Sequence, residues 1–168
     1  PVTVNTASDT PPAVLISSPV GGAIFERGET VNVAVRATDA IGGVTRIFLT
    51  ASGQASFSET RLVAPPSMDT TQVFSFAVPA GATIGGSITI TVSAEDTSGN
   101  PSPSASAVVY VGDKTPPSVT VNQPADRTPY NYGDTVTIAV SATDAIGVSR
   151  IRYATTGALI FQETRTLA

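Results

Sequence analysis

Apolar side chains occupy every second position in three long stretches of this chain. They are Val31, Val33, Val35 and Ala37; then Ile88, Ile90, Val92 and Ala94; then Val136, Ile138, Val140 and Ala142. Strict alternation marks a strand buried on one face. Each stretch ends in a similar phrase: A-T-D-A-I-G at 37–42, A-E-D-T-S-G at 94–99 and A-T-D-A-I-G at 142–147. The same parity carries Asp39, Asp96 and Asp144 onto the inward face where each strand leaves its sheet. An inward carboxylate needs hydrogen-bond donors or a cation.

The pattern predicts seven strands, at about 13–17, 30–39, 44–51, 55–63, 72–78, 87–96 and 104–111. Ile47 and Leu49 face inward on the third, and Phe74 and Phe76 on the fifth. Pro65-Pro66 is expected to break the chain after the fourth strand, and Gly81–Gly86 and Gly99-Asn-Pro101 supply turns. Helical periodicity is absent. Seven short alternating strands in about a hundred residues predict a β-sandwich.

The chain also repeats itself. With Pro11-Pro12 set on Pro116-Pro117, Pro19 meets Pro124 and Gly28-Glu29-Thr30-Val31 meets Gly133-Asp134-Thr135-Val136. After one extra residue at Gly43, Val44-Thr-Arg-Ile47 meets Val148-Ser-Arg-Ile151, and Phe57-Ser-Glu-Thr-Arg61 meets Phe161-Gln-Glu-Thr-Arg165. Phe48 is matched by Arg152, which puts that position outside. A period of about a hundred residues is a domain, not a solenoid turn. Residues 1–8 read as the closing strand of a preceding copy, 9–112 as a complete domain and 113–168 as the first half of the next. Pro1-Val-Thr-Val reads as mid-protein sequence, so the chain is expected to be part of a longer array.

Composition removes whole classes of chemistry. With no Cys and no His, thiol nucleophiles, disulfides, the usual zinc sites and histidine-based triads are excluded. A net charge of −4 with scattered cations offers no nucleic-acid footprint. No apolar run is long enough to cross a bilayer as a helix, so no membrane insertion is expected.

The order T-P-P, alternating apolars, P-x-x-G, G-[ED]-T-V and A-x-D-x-x-G, met twice, resembles the bacterial immunoglobulin-like repeats of large cell-surface and secreted proteins. The resemblance implies an all-β fold of tandem immunoglobulin-like β-sandwiches, seven-stranded, Greek key and without a disulfide. It implies a spacer, stalk or adhesive role outside the cell and names no ligand. Neighbouring repeats of the same polypeptide are the expected partners, together with copies of the protein in a fibre.

If the strands run alternately up and down, Asp39, Asp96 and the linker residue Asp9 converge at one pole. Asp113 and Asp144 are expected to do likewise in the next unit. Two roles stay open. An Asp shortly before Gly accepts backbone N–H bonds and closes an Asx turn. Clustered carboxylates also suit calcium, a hard cation that takes oxygen ligands. Some cadherin-like and bacterial immunoglobulin-like arrays carry calcium at such junctions, so the resemblance makes calcium the candidate cofactor, although no D-x-D run is present.

Other candidates read as structure. Thr10-Pro-Pro12 and Thr115-Pro-Pro117 read as stiff joints. Glu59 with Arg61, and Glu163 with Arg165, read as solvated ion pairs. Ser102–Ser106 reads as a polar turn, with O-linked sugar as the alternative. Donor-strand exchange by residues 1–8 would supply one strand where the second unit lacks three. The reading is a non-catalytic spacer in an extracellular fibre, filament or giant adhesin. The alternative is an accessory module that binds carbohydrate or a surface, for a secreted enzyme or a virion. The lack of Trp and the few Tyr count against a sugar platform.

Overall fold

The computed structural model describes residues 9–167, which form two compact units, one running through Lys114 and one beginning at Thr115. The expected closing strand at 1–8 lies outside the described residues. Among the described residues every regular element is a strand.

The first unit contains β1 (Ala13–Ser18), β2 (Ile24–Phe25), β3 (Thr30–Thr38), β4 (Val44–Gly53), β5 (Phe57–Ser67), β6 (Asp69–Ala77), β7 (Ser87–Asp96) and β8 (Ala105–Val111). One sheet has the order β1-β3-β6 and the other β2-β8-β7-β4-β5. Strand β4 pairs with its sequence neighbour β5 on one edge and with the distant β7 on the other. That non-sequential pairing is the Greek-key crossing of a sandwich.

Period-two patterning fills the space between the sheets. Val31, Val33, Val35 and Ala37 of β3 are wholly buried, as are Ile47 and Leu49 of β4 and Phe74 of β6. Each large apolar side chain so buried stabilises the fold by about 1.5–3 kcal/mol. Strand β7 lies between β4 and β8, so even its outward residues Thr89, Thr91, Ser93 and Glu95 are half-buried. Phe57 of β5 stacks on Phe76 of β6 with ring centroids 5.3 Å apart, joining the two sheets. Phe48 is half-buried on the opposite side of β4 from Ile47 and Leu49.

Three features differ from the sequence expectation. The described residues of the first unit form eight strands, because the two-residue β2, parallel to β8, is too short to show a period. The fourth predicted strand does not stop at Pro65-Pro66; it is β5 and runs to Ser67. Its ladder with β4 pairs Leu62 with Arg46 and then Ser67 with Val44. The prolines, which have no N–H to donate, sit within that irregularity and bulge out of the ladder. Strand β6 begins at Asp69, where Thr38↔Asp69 pairing and a bidentate Arg36–Asp69 ion pair (2.9 and 2.5 Å) extend the ladder over polar residues.

The second unit contains β9 (Ser118–Gln123), β10 (Ala139–Thr143), β11 (Arg150–Thr155) and β12 (Phe161–Thr166), paired β9 with β10 and β11 with β12. Their register repeats the first unit: Ser118↔Thr143 and Val119↔Ala142 match Ala13↔Thr38 and Val14↔Ala37. None of its described residues is buried.

Candidate functional site

The pole of the first sandwich where β3 and β7 end is built from two tight loops. Leaving β3, the N–H of Asp39 donates to Met68 O at 2.9 Å. Its carboxylate then turns the chain: Oδ1 accepts the Ile41 N–H at 3.2 Å and Oδ2 the Gly43 N–H at 3.1 Å. Gly42 and Gly43 both adopt left-handed backbone, with φ of 86° and 89°, which Gly reaches without a Cβ penalty. The A-T-D-A-I-G phrase is therefore an Asx-type turn whose Asp points inward.

The loop after β7 uses its Asp more fully. Asp96 Oδ1 accepts the N–H of Ser98 at 2.8 Å and of Asn100 at 2.9 Å, and Oδ2 accepts the Asn100 side-chain amide at 2.9 Å. Burial pushes this carboxyl's pKa up, but the hydrogen bonds from Asn100, Ser98 and Gly99 outweigh burial and hold it below its ordinary value. The two loops are tied together by Thr97 N–H donating to Gly43 O at 3.2 Å, and by the Thr45 hydroxyl donating to Asp96 O at 2.9 Å.

Asp9 comes to this pole from the linker. Its Oδ2 accepts a short hydrogen bond from the Ser98 hydroxyl. Its Oδ1 is buried and receives no donor. One carboxylate oxygen from each of Asp9, Asp39 and Asp96 lies within 4.8 Å of the others. Asp39 and Asp96 are almost wholly buried, at 8% and 2% exposure. Three carboxylates held this close repel one another, and an oxygen without a donor adds a desolvation cost. A hard cation would relieve both, and this all-oxygen donor set suits calcium.

Asp113 belongs to the first unit and Asp144 to the second. Asp144, half-exposed, accepts the N–H of Ile146 at 2.8 Å and of Gly147 at 3.0 Å; the bond to Ile146 matches the one Asp39 makes to Ile41, and the second bond reaches one residue less far. In the repeat alignment Asp9 is matched by Lys114, a cation. Lys114 belongs to the first unit, where its N–H donates to Glu26 Oε1 at 2.7 Å and its Nζ lies 2.6 Å from Glu29 Oε2. Sequence reasoning missed Ser98, Asn100 and Lys114. The S-G-N run after Asp96 was the available signal for the first two.

The remaining candidates take structural places. Arg61 pairs with Glu59 at 2.7 Å and lies 4.7 Å above the Phe74 ring, so this pair seals the rim of the core and is not simply solvated. Ser102 is buried and exchanges 2.8 Å hydrogen bonds with the backbone of Ala94, so it is not an open sugar acceptor. No helix of the described residues is long and apolar enough to cross a membrane.

The family profile described as bacterial Ig domain matches residues 12–78 and again 117–167. A search of curated proteins returned no match. Among solved structures, the chain is similar to the fibronectin(III)-like modules of Clostridium thermocellum CbhA. The identity is 18% and the TM-score 0.44, over 60% of this chain and 97% of that one. It is similar to the PKD domain of a peptidase from a Thermoplasmatales archaeon at 19% identity and TM-score 0.46, over 63% and 100% of the two chains. It is also similar to a mutant of the SrpA adhesin from Streptococcus sanguinis at 23% identity and TM-score 0.45, over 63% and 59%. At these scores the likenesses carry no statement about function.

Proposed function

The chain belongs to the bacterial Ig domain family, and from that premise we propose that it is a spacer: repeated sandwiches that give length to an extracellular or cell-surface stalk, filament or adhesin. Domains of this kind are typically non-catalytic modules. The observation that carries the reading is how the exit from the first sandwich is made. Gly112 donates its N–H to Phe25 O at 2.9 Å, and Lys114 is held by Glu26 and Glu29, so the chain stays attached to the sandwich through Lys114. Three residues, Thr115-Pro116-Pro117, remain before β9, and two of them have a fixed φ. Such a joint suits a semi-rigid spacer better than a flexible linker.

Electron microscopy of the native parent material tests it. Beads at one-domain spacing along fibres or stalks are expected. Compact particles without such extensions would overturn the reading.

At the β3/β7 pole, the second reading is calcium held by Asp9, Asp39 and Asp96. The buried, donorless Oδ1 of Asp9 supports it. Bound there, calcium would tie the linker carboxylate to the two loops by charge. Titration calorimetry on the whole chain should show calcium heat that Asp39→Asn abolishes, and chelation should lower the melting temperature. No heat and no shift would remove calcium and leave the turns.

A further inference from the structure

Four strand edges bound the first sandwich as described, β1 and β6 on one sheet and β2 and β5 on the other. Three of them are guarded against pairing with another chain. Strand β1 breaks its register between Ile16 and Ser18 and lies between Pro11-Pro12 and Pro19. Strand β2 has only two residues. Strand β5 turns the charged Glu59 and Arg61 to the rim of the core and bulges at Pro65-Pro66. Short length, inward charges, prolines and bulges all keep an edge from adding a foreign strand. Strand β6 has none of them. It runs nine residues in unbroken register with β3, without proline, and from Thr70 to Ala77 without a charge.

The backbone of β6 fixes which groups that edge offers. At the two ends of its ladder the Asp39 N–H donates to Met68 O and the Val78 N–H to Glu29 O, each at 2.9 Å. Met68 and Val78 therefore bond toward β3, and residues of an antiparallel strand bond to alternate sides. Thr70, Gln72, Phe74 and Phe76 share that phase. Thr71, Val73, Ser75 and Ala77 turn their N–H and C=O to the open side, and their side chains are exposed. Asp69 shares the open phase, but the Ser67 hydroxyl donates to Asp69 O at 2.8 Å and caps it. Beyond that cap the edge has no strand beside it among the described residues.

We propose that β6 is a self-pairing edge, occupied by β6 of a second copy of this chain, antiparallel across a two-fold axis. Between folded copies an open edge is completed by another open edge, and β6 is the unguarded one of the first unit. In such a contact the same surface serves both partners. The register that uses all four open residues sets Thr71 opposite Ala77 and Val73 opposite Ser75, each pairing occurring twice by symmetry. It joins the two β1-β3-β6 sheets into one continuous sheet, with main-chain hydrogen bonds supplying the affinity. Although the chain carries a net charge of −4, no like charges stand opposite each other in this register. The proposal does not rest on the spacer reading or on calcium.

Sedimentation of the whole chain over a range of concentrations reads the pairing, and amide hydrogen exchange locates it. A reversible dimer is expected, with concentration-dependent protection at Thr71, Val73, Ser75 and Ala77. Thr70, Gln72, Phe74 and Phe76 should be protected at every concentration, since β3 already holds them. Val73→Lys puts a charge on the open edge and should weaken the dimer about tenfold or more. Val73→Pro should also weaken it, by removing an N–H that β3 does not use. The alternating pattern is read on the unaltered chain, so it decides the matter even where a variant fails to fold. The proposal is overturned by a chain that stays monomeric at every concentration, by a dimer that both variants leave intact, or by protection confined to the second unit.

Discussion

The Nζ of Lys114 lies 2.6 Å from Oε2 of Glu29, across 85 residues of sequence, and 5.8 Å from the centre of the Phe25 ring. This contact makes the exit segment part of the first sandwich. Foremost because of the Lys114 hydrogen bond, and helped by the Glu26 N–H, the Glu29 carboxyl titrates below its ordinary value. A carboxyl depressed by folding adds stability that is present above its unfolded pKa and lost as pH falls through the folded pKa. Lys114→Met should therefore lower stability near neutral pH and flatten its fall on acidification. Both groups are more than a third exposed, so the effect should stay below about 1 kcal/mol. Urea unfolding of the two proteins across the acidic range reads it.

Asp96→Ala should destabilise the first unit clearly, because it removes a carboxylate only 2% exposed that accepts the N–H groups of Ser98 and Asn100. Asp144→Ala should cost less, since its turn is exposed to water. The ordering should persist in chelator, which separates the turn's contribution from any metal. Thermal unfolding of both variants measures it. The depressed Asp96 pKa has the same sign as that of Glu29, with stability lost on acidification.

At Gly42 two penalties coincide: a φ of 86° and an overlap between any added Cβ and the Thr97 hydroxyl. Gly42→Ala should destabilise by about 1–2 kcal/mol. The double variant with Thr97→Ala should recover the overlap and not the backbone strain. Denaturant midpoints of the single and double variants separate the two.

Leu49 of β4 is wholly buried in the core of the first unit, whereas Tyr153 of β11 belongs to the second unit. Leu49→Ala should cost the first unit about 2–5 kcal/mol. Tyr153→Ala should leave that unit's unfolding transition where it is. Hydrogen exchange, which reports each unit separately, would show protection lost in both units if they did not unfold independently.

Much of the candidate site was legible in advance. Parity alone put Asp39 and Asp96 inward, and alternate strand direction put them at one pole with Asp9. The donors were not legible. Ser98 and Asn100 reach their carboxylates through a turn whose dihedral angles leave little trace beyond an S-G-N run. Lys114 is an isolated cation in the sequence, and nothing near it points to Glu29. Pro65-Pro66 misled in the other direction: a strand tolerates prolines where its ladder bulges, and the bulge depends on β4.

Which side chains turn inward follows from a period of two, a local property that any stretch of the chain carries within itself. For that reason the sandwich, its core and the repeat could be read from residue order. Which strand edge meets which partner is a matter of backbone hydrogen bonds, and these look alike for every residue type except proline. Hence β5 passing its prolines and β6 reaching back to Asp69 emerged only when the ladders closed in three dimensions.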